Sequence, residues 1–371
     1  MMRKTAMALL LSVGIFFLAG SAAALVDSKA TPETQALYAQ LSATSGNQIW
    51  FGQFYPVKLQ SWDDPYGKQS QCYQITQKYP FIFSLDYQQD PWRSITAYTS
   101  QIKTHYAKGG MITVSWHMQN WISGGDAWDT SGAVVTSILP GGSKRTQYLA
   151  ALDGFANYFL NLKDANGKQI PVMLRLFHEN DGNWFWWGTS TRTPAQYVQL
   201  WRDFVTYMRD TKGVHNLIYC YAPEIINGYA YDGALYPGDA YVDVMGLDYY
   251  DKTVTTRDAQ GASALSRLQV LRDLSVKKGK PFGTFEGLRN EYPSKVVRNA
   301  NSDGIYAKYW TEQFINPVLA DSKAKYASFI IIWHSVPGGA ETDGWGPVKG
   351  YADQQSFKDM LNNSKVKSLK Y

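Results

Sequence analysis

The sequence is poor in cysteine. Its only two, Cys72 and Cys220, lack the spacing of a zinc site. An oxidising compartment would allow them to pair. However, Cys220 belongs to a predicted core strand and Cys72 lies near the first predicted helix, which is too far apart for a bridge. We therefore expect two separate buried thiols and no structural metal.

The chain also has little net charge. Its formal charge of +5 falls to +3 once Arg3 and Lys4 are removed, which is nearly neutral for a chain of 371 residues. We therefore expect no basic surface for binding nucleic acid or an anionic membrane. The lysine-containing end, residues 364–371, is predicted to be a solvated tail. Apolar periodic surface is scarce, which predicts a monomer.

Internal repeats, low-complexity linkers and shifts in composition are all missing, which excludes an appended binding module. Apart from the N-terminus, no run is long and apolar enough to span a bilayer. The sequence predicts a signal peptide at 1–24, a polar lead-in at 25–35, one domain at 36–365 and a tail at 366–371.

The N-terminus has the three parts of a secretory signal. Arg3 and Lys4 form the basic part, Ala6–Ala19 the apolar part, and Ala22–Ala24 a small-residue cleavage site. No cysteine near that site offers an attachment point for lipid. We expect a mature protein that is secreted or periplasmic and has no membrane contact after cleavage.

Aromatic residues are in excess. They make up 15% of the chain, with 13 Trp and 26 Tyr, which is more than core packing usually uses. In an exported and nearly uncharged chain, this excess favours a protein that handles carbohydrate.

Short apolar runs alternate with amphipathic stretches along the chain, which predicts strands that alternate with helices and pair in parallel. One helix begins at Thr193-Pro194, and others are predicted at 146–162 and 264–278. Eight such units predict a (β/α)₈ barrel. An open doubly wound sheet is the alternative, weakened by the lack of a glycine-rich phosphate loop. The predicted strands are 49–53, 81–86, 111–117, 172–179, 216–222, 242–250, 281–286 and 328–334.

The fourth strand carries charge among apolar residues. Alternation places Arg175, Phe177 and Glu179 on one face. Burying either charge alone is costly, so both must be paired or functional. Four aromatics, Trp184–Trp187, follow and suit stacking on sugar rings. A core strand with a satisfied ion pair and a packed aromatic loop is the alternative interpretation.

A second carboxylate, Glu286, ends the seventh strand. Strands four and seven lie roughly opposite each other in an eight-stranded barrel, and such barrels place catalysis at the carboxyl ends of their strands. Glu179 and Glu286 would then face each other across a cleft, and glycoside cleavage requires such a pair. Taken alone, Glu286 also fits a surface salt bridge.

The segment Arg175–Gly188, with His178-Glu179 inside it, resembles the acid/base signature of glycoside hydrolase family 26. The runs 125–130, 138–142 and 241–250 also resemble this family, and the similarity covers nearly the whole mature chain. The resemblance implies a (β/α)₈ barrel and a retaining enzyme, in most members an endo-β-1,4-mannanase. Leu176 departs from the family, which often has Pro there, and so does the Gly-Leu-Arg that follows Glu286.

The resemblance also implies roles for individual residues. It makes Glu179 the general acid/base and Glu286 the nucleophile. It implies neither a cofactor nor a metal. The residues that it implies to contact the substrate are His117, His178, Trp184, Tyr250 and Trp333.

Physical chemistry supports the two carboxylate roles. A general acid needs a raised pKa, for which Trp184, Trp186 and Phe177 offer an apolar wall and Glu286 a nearby anion. A nucleophile must stay ionised, and Arg175 and Tyr250 are candidate donors that hold it so. Two interpretations remain for the other residues. Core packing is the alternative to substrate binding for His117 and Trp333. Outer sugar sites and loop anchors are the two possibilities for Trp62, Trp121 and Trp345.

Four functions remain open. An endo-β-1,4-mannanase acting on mannan, glucomannan and galactomannan is the leading hypothesis. A β-1,3-1,4-glucanase or a β-1,3-xylanase on the same fold is the first alternative. A catalytically inactive polysaccharide-binding barrel is another, disfavoured by the presence of both Glu179 and Glu286. A metallohydrolase using His117, His178 and Asp residues is the last, disfavoured because the first strand has no His-x-His.

Overall fold

The computed structural model describes residues 24–54, 70–88, 94–224, 233–249, 262–287, 307–333 and 346–370. Within them, eight parallel strands close into a barrel, in which each strand pairs with the next and the eighth pairs with the first. This confirms the predicted (β/α)₈ barrel. The strands are β1 (Ile49–Phe54), β2 (Ile82–Asp86), β3 (Met111–Ser115), β4 (Val172–Arg175), β5 (Leu217–Tyr221), β6 (Val244–Tyr249), β7 (Phe282–Gly287) and β8 (Phe329–Ile332).

Helices follow the strands, as the sequence predicts. The helix that starts at Pro194 has a capping box, in which Thr193 and Gln196 each bond the other's backbone N–H with a side-chain oxygen. The helices are α1 (Pro32–Thr44), α2 (Gln71–Thr76), α3 (Thr99–Ala107), α4 (Val134–Ile138), α5 (Arg145–Asn161), α6 (Pro194–Thr206), α7 (Ala262–Lys278), α8 (Asn316–Ala320) and α9 (Gln354–Asn362). Short 3₁₀ turns lie at Ile95–Tyr98, Asp239–Tyr241 and Ala324–Tyr326, and π-helical turns at Tyr207–Thr211 and Tyr309–Ile315.

Side chains of the strands alternate between two cores. In β1, Trp50 and Phe54 belong to the cluster that fills the barrel, while Ile49 and Phe51 pack against the surrounding helices. Charged side chains such as Asp86 are fully buried near the carboxyl ends of the strands. The apolar filling therefore gives way to polar residues at that end of the barrel.

The opposite, amino-terminal end is covered by α1. Leu41 and Tyr38 pack into the inner cluster, and the Tyr38 hydroxyl donates to the carbonyl of Asp243. The preceding segment is fixed as well, because Nδ1 of His215 lies 2.7 Å from Oδ2 of Asp27. Helix and lead-in together close the end of the barrel that is remote from the polar residues.

The predicted solvated tail needs correction. Residues Val366–Leu369 form a strand that pairs in parallel with β1 and antiparallel with Tyr79–Pro80. Val366 and Leu369 are buried, and the Nζ of Lys367 lies 3.9 Å from the ring centroid of Phe81. These contacts fix the end of the chain on the sheet.

Both cysteines are buried and unbridged, as predicted. Within the described ranges, no helix combines the length and the apolar character needed to cross a bilayer.

Candidate active site

Strand β4 ends at Arg175, four residues earlier than predicted. Phe177 and Glu179 have φ angles of 42° and 50°, so the alternation of a strand does not continue through them. Arg175 points into the barrel, whereas Phe177 packs outside it against Trp201 and the neighbouring α6 residue Phe204. The predicted common face of Arg175, Phe177 and Glu179 is therefore wrong.

The turn after β4 is held by distant side chains. A left-handed conformation is strained for residues other than glycine, and it persists only where the surroundings impose it. Here the Glu179 amide donates to the carbonyl of Ala222, at the end of β5, over 2.8 Å. Side chains also bond three carbonyls of the turn: Tyr197 donates to Phe177, Trp187 to His178 and Arg192 to Asn180.

These contacts separate the roles of the aromatic residues at 184–187. Trp186 and Trp187 are completely buried, and their indole N–H groups bond the backbone of Met118 and His178. They build the turn and offer no surface for stacking. Trp184 is the tryptophan of this group that reaches Glu179.

A β-bulge in β7 aims Glu286. Leu247 of β6 is paired with Thr284, but the next residue, Asp248, is paired with Glu286, so Phe285 is the extra residue. Phe285 packs inside the barrel, and Glu286 also points inward, although adjacent strand residues normally face opposite sides. Bulges of this kind often redirect a side chain next to an active site.

Glycines make room for the bulge. A Cβ on Gly246 would lie 2.1 Å from Cδ2 of Phe285, and a Cβ on Gly287 would lie 1.8 Å from the carbonyl oxygen of Tyr249. Gly287 also has a φ of 110°, which disfavours any other residue. The position of Glu286 thus depends on Gly246, which makes room for Phe285, and on Gly287, the next residue in the sequence.

Arg175 joins the two strands. Its Nη1 donates to Oδ2 of Asp248 and its Nη2 to Oε2 of Glu286, and all three side chains are buried. Burial raises the pKa of Asp248 well above its usual range, and the neighbouring Glu286 adds to this, while Arg175 opposes it. The guanidinium supplies the positive charge that this group of buried carboxylates requires.

Glu179 has the electrostatics of a proton donor. Burial, followed by the negative charges of Glu286 and Glu224, raises its pKa to about 8. Two contacts act in the other direction: the charge of Arg175, and the indole of Trp184, which donates to Oε2 over 2.6 Å. The net result is a carboxyl group that holds its proton at neutral pH.

Two histidines lie beside the carboxylates. Nε2 of His178 is 3.1 Å from Nε2 of His117, and Nδ1 of His117 is 2.7 Å from Oδ2 of Asp86. Burial and the nearby Arg175 lower the pKa of His178 well below its usual range. Although burial alone would raise it, the contacts with His117 and Ser115 hold the pKa of Asp86 below its ordinary value.

An exposed tryptophan covers this pair. Trp128 stacks on the ring of His117, with ring centroids 5.0 Å apart and planes 11° apart, yet it is 44% exposed. Asn120 fixes the loop that carries it by donating to the carbonyls of Asp129 and Ser131. An exposed indole at the mouth of a barrel is a ready surface for a sugar ring. Trp128 lies within the run 125–130 that resembles the family, but the sequence alone does not single it out as a binding residue.

Among the described residues, one group has donor atoms spaced for a metal ion: His178, Asp248 and Glu286, with one ligand atom from each within 4.8 Å of the others. The Arg175 guanidinium already bonds both carboxylates, so a cation would have to replace it. The donor set therefore fits an arginine better than a metal.

The structure brings most of the predicted site residues together. Glu179, Glu286, His117, His178 and Trp184 surround the carboxyl end of the barrel. Trp333 follows β8, is buried, and packs on Phe54 with ring centroids 4.5 Å apart. Trp121 is buried against Tyr148, as a loop anchor would be. Tyr250, Trp62 and Trp345 lie outside the described residues.

A (β/α)₈ barrel with two buried glutamates, one in the turn after β4 and one on β7, the first of them holding a proton at neutral pH, is the arrangement of a glycoside-cleaving enzyme. Residues 26–281 match the model of Glycosyl hydrolase family 26. The chain belongs to this family, as its motifs predict.

Relatives and solved structures agree with this assignment. Mannan endo-1,4-beta-mannosidase of Bifidobacterium adolescentis is 30% identical over 93% of this chain, which spans 36% of that protein's length. The catalytic domain of the GH26 endo-beta-1,4-mannanase of Bacillus sp. JAMB-750 is also 30% identical, with a TM-score of 0.82 over 94% of this chain and 95% of that one. An endo-beta-1,4-mannanase of Cellulomonas fimi has 30% identity and a TM-score of 0.80, over 93% of this chain and 77% of that one.

Proposed function

We propose that this chain is a secreted, retaining endo-β-1,4-mannanase that cleaves internal bonds of mannan, glucomannan and galactomannan. The observation that carries the proposal is the pairing of Glu179, whose pKa is raised to about 8, with the negative charge of the nearby Glu286 on β7. The names of its relatives supply the sugar, since they are mannanases.

The proposed reaction has two steps. In the first, Glu179 gives its proton to the oxygen of the leaving sugar while Glu286 attacks the anomeric carbon and forms a covalent glycosyl-enzyme. That bond removes the charge of Glu286, so the pKa of Glu179 falls. In the second step, Glu179 takes a proton from water, which attacks the same carbon and releases Glu286.

The remaining side chains bind and orient the sugar. Arg175 holds the Glu286 carboxylate in place for attack. Trp184 positions Glu179 and presents part of its ring to the cleft, and Trp128 offers an exposed face beside His117. Tyr250 and Trp333 keep the substrate-binding roles that the family resemblance implies.

The location and assembly of the protein belong to the same proposal. Cleavage after Ala24 would release a mature chain that acts as a monomer in the periplasm or outside the cell. N-terminal sequencing of the exported protein tests the cleavage site, and light scattering tests the monomer.

Sugar release by the purified mature protein tests the activity. Linear mannan, galactomannan, barley mixed-linkage glucan and β-1,3-xylan are compared, each with the Glu286→Ala variant as control. We expect mannan and galactomannan to be cleaved and the control to be inactive. Cleavage of glucan or xylan alone would show that mannan is the wrong substrate. Tight binding without cleavage would favour the inactive polysaccharide-binding barrel.

A further inference from the structure

Three buried side chains form a hydrogen-bonded row toward the proposed nucleophile. Oδ2 of Asp86 lies 2.7 Å from Nδ1 of His117, and Nε2 of His117 lies 3.1 Å from Nε2 of His178. The outer nitrogen of His178, Nδ1, is also buried, and no hydrogen-bond partner for it is found among the described residues. A ring nitrogen of His178 lies within 4.8 Å of carboxylate oxygens of Asp248 and Glu286.

The row has a fixed direction for its protons. An ionised Asp86 only accepts, so Nδ1 of His117 carries the hydrogen between them. A neutral His117 then has a lone pair on Nε2, and the bond between the two histidines requires a hydrogen on Nε2 of His178. Since a neutral imidazole carries one hydrogen, Nδ1 of His178 is left as an acceptor.

We propose that Asp86 is a positioning residue, which fixes the tautomers of His117 and His178 so that the buried Nδ1 of His178 carries no hydrogen and cannot donate to the carboxylate of Glu286, which attacks the sugar. This inference rests on the proposed function. With the opposite tautomers, Nδ1 of His178 would carry a hydrogen close to the carboxylates of Asp248 and Glu286, which already accept from Arg175.

The surroundings of Asp86 make Asp86→Asn a sharp test. Its Oδ1 accepts from the backbone N–H groups of Gln88 and His117, which can only donate. Its Oδ2 accepts from Nδ1 of His117 and from the hydroxyl of Ser115, both of which can become acceptors, and it shares the backbone N–H of His117 with Oδ1. Only Oδ1 accepts from the Gln88 N–H. The NH₂ group of an asparagine at position 86 should therefore take the place of Oδ2. There it would donate to Nδ1 of His117, and each hydrogen bond of the row would then run in the opposite direction.

Long-range ¹H–¹⁵N NMR of histidine rings reads the tautomers directly. The chain has five histidines, so single substitutions assign the signals. In the wild type we expect His117 protonated on Nδ1 and His178 on Nε2, and in Asp86→Asn the reverse for both. A doubly protonated His117, or an Nε2-protonated His117 in the wild type, would overturn the proposal. The wild-type spectrum decides this even if the variant folds poorly.

Kinetics on mannan then test the consequence. We expect Asp86→Asn to lower kcat/KM on the order of 10- to 100-fold, because a donor replaces an acceptor at a buried site. Asp27→Asn is the matched control: Asp27 contacts Nδ1 of His215 at the same 2.7 Å, but at the amino-terminal end of the barrel, and should leave kcat/KM unchanged. Reversed tautomers in Asp86→Asn with unchanged kcat/KM would refute the positioning role of Asp86. If instead the wild type cleaves no polysaccharide, the proposed function is refuted, but the tautomers measured by NMR remain valid.

Discussion

The indole Nε1 of Trp184 donates to Oε2 of Glu179 over 2.6 Å. This bond favours the charged form of the carboxyl group and so opposes the burial that raises the Glu179 pKa to about 8. Trp184 thus keeps the proposed acid close to neutral pH, where it can both give and take a proton.

Replacing Trp184 with Phe should raise the pKa of Glu179 further. A hydrogen bond to a charged group contributes about 1.5–3 kcal/mol, which corresponds to about one to two pKa units. Because catalysis needs protonated Glu179, kcat/KM falls as pH rises through this pKa, and the fall should move to higher pH in Trp184→Phe. The pH profile on mannan measures it, and a shift to lower pH would contradict this electrostatic account.

Replacing Glu286 with Gln should lower the pKa of Glu179. The negative charge of Glu286 raises the pKa of Glu179, and without it Arg175 acts on Glu179 more strongly. We expect the pKa to fall by about one unit or more. Since the variant is inactive, ¹³C NMR titration of glutamate carboxyls is the measurement, with the Glu179 signal assigned by its loss in Glu179→Gln. An unchanged pKa would mean that the two carboxyls are not coupled.

Arg175 should matter for folding as well as for chemistry. Arg175→Met leaves Asp248 and Glu286 buried without their cation, which should lower the free energy of unfolding by about 3–5 kcal/mol at pH 7. The loss should shrink as pH falls, because burial raises the pKa of Asp248, and its protonation removes one of the two repelling charges. Urea unfolding measures both effects.

The matched control is Arg145→Met. Arg145 also pairs with a carboxylate, that of Asp203, but near the surface, where the side chains are 20% and 16% exposed. Its loss should cost about 1 kcal/mol or less. Equal losses in the two variants would contradict the importance of the buried cation.

Gly246→Ala tests the bulge. The new methyl would meet Phe285 at 2.1 Å and push the strand that carries Glu286. A displacement of about 1 Å at a reacting group can cost about 100-fold in rate, so we expect a large loss of kcat with the protein still folded. Gly154→Ala in α5 is the control, since apart from the nearby backbone of its own helix no described atom lies within 4 Å of the added Cβ, and it should gain about 0.5–1 kcal/mol of stability. Full activity in Gly246→Ala would show that the bulge does not aim Glu286.

The barrel could be predicted because its signals are local. Each strand is a short apolar run, some helices begin at a recognisable cap such as Thr193, and Glu179 and Glu286 follow or end such runs. The resemblance to a family then supplied their roles. Residue types at the ends of strands were thus sufficient to find the two carboxylates.

The orientation of the Glu179 and Glu286 side chains could not be predicted, because it depends on contacts between residues that are distant in the sequence. The left-handed turn at Phe177 and Glu179 is imposed by α6 and the turn after β5, and the bulge at Phe285 by its neighbours in the barrel. A period-two pattern predicts neither. For the same reason the sequence placed Trp186 among the stacking residues, although the fold uses it as an internal brace.

The measurement that tests the central claim most directly is the anomeric configuration of the first product. Proton NMR follows the purified mature protein on linear mannan, before the released sugar mutarotates. A double displacement through Glu286 predicts that the β-anomer appears first and the α-anomer grows in later. If the α-anomer appears first, the reaction inverts and Glu286 is not a nucleophile.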